Sequence, residues 1–143
     1  MRILLLTGLL YVGLSSLFGQ EAAKQKNESK LHGTWTLVSM KYGEEKKFTG
    51  LHPTFRMVKH ITGTHYCWVQ SEKATGKVSR MTGGQCAITE TKYIESVKYF
   101  MGKDTEWLLN KRVEHSWKVD GNKLHSSFSI NGSKYEEIWE RAK

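Results

Sequence analysis

The chain has 143 residues, 38% of them hydrophobic and 25% charged, which is enough to bury one core of ordinary small size and leaves no room for a second domain. Its formal net charge of +8 is spread over scattered lysines, Lys24, Lys41, Lys59 and Lys77 among them. A nucleic-acid surface gathers its charge into a stripe with interleaved aromatics, so no nucleic-acid partner is expected.

Taken in chain order, Arg2, the apolar run from Ile3 to Phe18 and the small residue Gly19 have the layout of a secretory signal peptide. Thr7, Gly8, Gly13, Ser15 and Ser16 interrupt the run too often for a membrane span of roughly 20 apolar residues. Residues 1–19 are therefore expected to be cleaved, with export to the periplasm or beyond the cell and no stable membrane insertion afterwards. Residues 20–30 read as a flexible polar leader, and 31–143 as the folded domain.

From Leu31 onward, short segments rich in β-branched and aromatic residues alternate with Gly-, Asn- and Asp-containing turns. GTWTLVSMKY is the first predicted strand. YGEEKKFTGLHP reads as a longer loop, and TFRMVKHIT and THYCWVQS as a hairpin. With Thr62-Gly63 as a two-residue turn, His60 would oppose His65, Lys59 would oppose Tyr66 and Met57 would oppose Trp68. Paired histidines can hold a metal, but zinc takes three or four ligands and no Cys, Asp or Glu stands beside this pair to complete a set. His60 and His65 are expected to be exposed near the turn, with no metal site.

VSRMTGGQCAI follows through a KATG turn. Pairing it with THYCWVQS sets Cys67 near Thr82, leaving Cys86 roughly 13 Å along the strand at ~3.3 Å per residue, beyond disulfide reach. Both thiols are expected to be free. Gly83-Gly84 marks a bulge, after which Tyr93, Glu95, Val97 and Tyr99 of KYIESVKYF point inward. MGKDTEWLLN reads as a loop with at most one helical turn. KRVEHSWKVD, KLHSSFSI and KYEEIWERA complete the set, joined by DGN and NGS turns. The expected fold is all-β, an eight-stranded (eight to ten) antiparallel up-and-down barrel.

Two end segments carry a resemblance. Gly33-x-Trp35 at the start of the first strand, and EEIWERAK at the close, are similar to the first and last strands of the calycin superfamily, which includes lipocalins and the intracellular lipid-binding proteins. ITGTHYCWV, TGG, YIESVKY and EIWER, in that order, resemble exported bacterial lipocalin-like proteins of uncharacterised function. The resemblance implies a structural plug: Gly33 bends the chain into the strand, Trp35 fills the narrow end of the barrel, and Arg141 lays its guanidinium on the indole. The helical lid of the lipid-binding proteins and the helix that follows most lipocalin barrels have no counterpart here.

Alternation assigns Met57, Lys59, Tyr66, Trp68, Tyr93, Glu95, Glu137 and Trp139 to the interior as the candidate ligand-binding group. Lys59 could pair with a carboxylate inside a filled barrel, or these groups could line an open cup of apolar walls with a few polar groups. In the lipid-binding barrels that the chain resembles, the last strand offers an inward arginine two residues before a tyrosine to hold a fatty-acid carboxylate. The matching positions here are Glu137 and Trp139, which implies a preference for neutral or cationic ligands.

The leading expectation is an exported protein that binds a small apolar or amphipathic molecule, with no cofactor and no catalytic residues. There is no Gly-x-Ser-x-Gly, phosphate loop or metal-ligand spacing. Two alternatives stand beside it. One is a small lyase or isomerase on the same fold, with Glu95 and either Tyr93 or Tyr66 as acid and base. The other is a filled barrel acting as an interaction module through Trp107, Leu108 and Leu109.

Overall fold

Eight antiparallel strands follow one another round a closed barrel in the computed structural model, which describes Glu21 and residues 28–143. The expected signal peptide and most of the leader lie outside the described residues. The strands are β1 (Gly33–Tyr42), β2 (Phe55–Ile61), β3 (His65–Glu72), β4 (Val78–Ile88), β5 (Lys92–Met101), β6 (Arg112–Asp120), β7 (Lys123–Ile130) and β8 (Ser133–Arg141). Each pairs with the next, and β8 closes on β1. Among the described residues no helix is long and apolar enough to cross a membrane.

One end of the barrel is plugged. Trp35 is fully buried, donates its indole N–H to the Leu31 carbonyl at 2.9 Å, and carries the Arg141 guanidinium 4.1 Å above its ring. Arg141 in turn donates to the carbonyls of His32 and Lys30, at 2.9 and 2.8 Å. Gly33 is required twice over: its φ is +132°, and a Cβ there would stand 2.5 Å from Nη1 of Arg141.

The turn between β2 and β3 corrects the expected register. Thr62 donates its N–H to the carbonyl of His65, so Gly63 and Thr64 are its central residues. His60 consequently opposes Cys67, Lys59 opposes Trp68 and Met57 opposes Gln70. The histidine pair does not form: His60 shares a hydrogen bond with Thr34, and His65 with Thr64. The slip is two residues, so every side chain keeps its expected face.

At the glycine pair, Gly83 opposes Tyr99 and Gly84 opposes Val97, which makes Lys98 on β5 the extra residue. Alternation reverses there. Tyr99, expected inside, is 45% exposed and lies against the face of Gly83, where a Cβ would meet its ring at 2.3 Å. The segment 103–108 is a 3-10 helix of six residues, roughly two turns rather than one. Thr105 anchors it by donating to the carbonyls of Met101 and Gly102.

Cys67 opposes Gly83, not Thr82, and faces outward. Cys86 packs against the core and donates to the Thr62 carbonyl at 3.5 Å. The thiols therefore sit on opposite faces of the sheet and are unbridged. Burial pushes the Cys67 thiol up, and burial followed by the Glu95 charge pushes Cys86 up to about 11, so neither is a ready nucleophile. Intact mass after denaturing alkylation is expected to show two modified cysteines with or without reductant. Two labels appearing only after reduction would refute the free state.

Candidate ligand-binding site

The eight inward faces leave a cavity of about 150 Å³ between the plug and the 3-10 helix. Met57 and Lys59 of β2, Trp68 of β3, Glu95 of β5, and Glu137 and Trp139 of β8 all line it. Tyr66 and Tyr93 do not. Both are buried, but each lies two residues nearer the plugged end than Trp68 and Glu95, and their rings meet edge to face at 6.5 Å. The remaining wall includes Met40, Thr82, Val97, Val113, His115, Phe128 and Tyr135, with Trp107 and Leu108 of the 3-10 helix at the rim. The helix thus stands at the mouth, with Trp107 42% and Leu109 38% exposed.

Met40 reaches the cavity because of a bulge. Leu37 opposes Trp139 but Ser39 opposes Ile138, so Val38 is the extra residue. It turns outward, and β1 reverses its alternation beyond it. His115 needed no such irregularity: Val113, His115, Trp117 and Val119 alternate along β6, and that spacing already places the imidazole inside.

The polar groups form a connected chain. Lys59 Nζ donates to Glu95 Oε1 at 2.9 Å, with both side chains 5% exposed. The other oxygen, Oε2, lies 3.6 Å from Nε2 of His115, whose Nδ1 shares a hydrogen bond with Ser126 at 3.0 Å. Glu137 stands apart: its Oε2 accepts the Trp139 indole N–H at 2.9 Å. The Lys59 ammonium also lies 4.9 Å over the Trp139 ring, within cation–π range.

Electrostatics follow from these contacts. Burial alone would push the Glu95 carboxyl up, but Lys59 and His115 outweigh it and hold the group down at about 2. Burial would likewise pull the Lys59 ammonium down, and Glu95, then Glu137, raise it instead. The pair is therefore ionised across the ordinary pH range. Burial, followed by the Glu95 charge, pushes both Tyr66 and Tyr93 well above the usual tyrosine range. General acid–base catalysis works best with groups that titrate near the working pH, and Glu95, Tyr66 and Tyr93 are all held far from neutrality.

Several buried polar atoms in this region complete no hydrogen bond: the hydroxyls of Tyr66, Tyr93 and Thr82, and Nε2 of His115. Thr82, only 1% exposed, is on the cavity wall. Among the described residues no group of three or more His, Cys, Asp or Glu is arranged to hold a metal ion.

No protein-family model matches the chain, and no curated protein does. Among solved structures the chain is similar to an uncharacterised protein from Bacteroides eggerthii, with 11% sequence identity, a TM-score of 0.54, and coverage of 78% of this chain and 98% of that one. At that identity the likeness supports a shared fold alone.

Proposed function

We propose that the chain is an exported, lipocalin-like member of the calycin superfamily that holds a small apolar or amphipathic molecule inside its barrel and performs no chemistry on it. The observation that carries the reading is the cavity inside the barrel, with aromatic and aliphatic walls and a few convergent polar groups, the usual composition of a small-molecule site. Its volume of about 150 Å³ is below the roughly 300–1,000 Å³ of drug-sized pockets, so the ligand is one ring or a short chain. The displacement of Glu95, Tyr66 and Tyr93 from neutrality favours holding over catalysis. Kinship is supported by the Gly33-x-Trp35 start and the Arg141 stack, and export by the layout of residues 1–19.

Native mass spectrometry of protein recovered from its own host tests the reading. A retained low-mass molecule is expected; a bare mass in every preparation, with no uptake of small alcohols, counts against it. The charge of the wall adds a second expected result. A ligand carboxylate roughly 5 Å from Glu137, at an effective dielectric constant of roughly 20, is repelled by about 3 kcal/mol. In a fluorescence competition at neutral pH, hexanol should bind at least about tenfold more tightly than hexanoate. Equal affinities would mean that Glu137 does not meet the ligand.

A further inference from the structure

We infer that the cavity is built for a small organic cation, an ammonium-type head on a short aromatic or aliphatic body, with Glu137 as its counter-charge. The inference rests on the binding reading above and narrows it from an excluded class to a selected one.

The charges on the wall are not all paired. Lys59 is the cavity's ammonium; its hydrogen bond goes to Glu95 at 2.9 Å, and Glu137 feels its charge without touching it. Glu137 has no Lys, Arg or His within ion-pair distance among the described residues, and its one hydrogen bond, from Trp139, occupies Oε2 and leaves Oε1 open. The lining thus pairs Lys59 with Glu95 and leaves Glu137 as a carboxylate with no cationic side chain in contact. A carboxylate beside an apolar cavity is costly to leave unpaired, and a cation is the ligand that removes that cost.

The walls suit such a head. The Trp139 face is taken by the Lys59 ammonium at 4.9 Å, so the head rests on another wall. Phe128 and Tyr135 stack at 4.8 Å with planes 3° apart, offering a second aromatic wall on the strands next to Glu137. Thr82, on β4, faces β8 from the opposite side of the eight-stranded ring. Its buried hydroxyl lies beside that of Tyr66 without completing a hydrogen bond of good geometry, and can meet a polar atom at the far end of the ligand's body.

The test uses the full folded domain at pH 8 and three probes of similar size, 2-phenylethylamine, 2-phenylethanol and phenylacetate, followed by titration calorimetry. The amine, protonated at that pH, is expected to bind at least about tenfold more tightly than the alcohol, with phenylacetate the weakest. Glu137→Gln keeps an oxygen acceptor for the Trp139 indole and should bring the amine to the level of the alcohol while the alcohol's affinity stays within about twofold. An amine that binds wild type no better than the alcohol overturns the cation inference and leaves the binding reading standing. A preference for the amine that survives Glu137→Gln overturns the role of that residue. If none of the three binds, the binding reading falls and the inference with it. The wild-type ranking decides the matter even if the variant does not fold.

Discussion

Replacing Lys59 with Met is expected to destabilise the protein by about 3–5 kcal/mol. Lys59 and Glu95 are each only 4% exposed and in contact at 2.9 Å. Removing the ammonium leaves a buried carboxylate without its hydrogen-bonded cation, with His115 3.6 Å away. The pair itself gives little net stability, because desolvating two charges offsets most of their attraction. The double variant Lys59→Met/Glu95→Leu should therefore recover most of the loss. Urea denaturation of the three proteins checks this; a single variant within about 1 kcal/mol of wild type, or a double variant no better than the single, would contradict it.

The same pair sets an acid limit. The folded-state value for Glu95 is depressed, from an ordinary 4.5 to about 2, so its contribution is complete above 4.5 and is lost as the pH falls toward 2. That contribution is on the order of 3 kcal/mol. Lys59 is shifted the other way, so its share is present below its ordinary 10.5 and is lost only in strong alkali. Between pH 4.5 and 2 the wild type should lose stability more steeply than the double variant, by that amount.

Trp35→Ala is expected to cost about 3–5 kcal/mol. The indole is fully buried and removing it opens a cavity at the plug, strands the Leu31 carbonyl and takes away the surface on which Arg141 rests. Arg141→Ala should cost less, because the guanidinium remains partly solvated. The double variant should be less destabilised than the sum by about 1 kcal/mol, since either change alone already removes the stack. Strict additivity in thermal or urea unfolding would show that the stack carries no coupling energy.

The strands were legible because every one is bounded by turn residues and carries two-residue alternation, and the meander follows from how short the turns are. Alternation also told which face each side chain takes, and it survived the two-residue error at Thr62 for that reason. It carries no information on depth along the barrel axis: Tyr66 and Tyr93 are inside as expected, yet below the cavity. Bulges are the second blind spot. Gly83 and Gly84 announced one, but the extra residue, Lys98, is on the partner strand, and nothing in Lys98 itself marks it. Simple alternation therefore places Tyr99 inward and, through the similar bulge at Val38, leaves Met40 outside. His115, Phe128 and Thr82 were within reach of the same alternation applied to β6, β7 and β4. The calycin resemblance rests on the ends of the chain, while the polar chain beside the cavity is assembled from the middle.

The pairing of β8 with β1 has a kinetic consequence. Every other strand pair joins neighbours in sequence and can form as a local hairpin, whereas Trp35 meets Arg141 only by closing a loop of nearly the whole described chain. The entropy of that closure must be met before the pair returns any energy. Until it is met, the open eight-stranded sheet presents two unpaired edges, β1 and β8, each a template for pairing with another copy. The plug that secures the finished barrel is thus made of groups that meet last, and the time before they meet is when this chain is most exposed to aggregation.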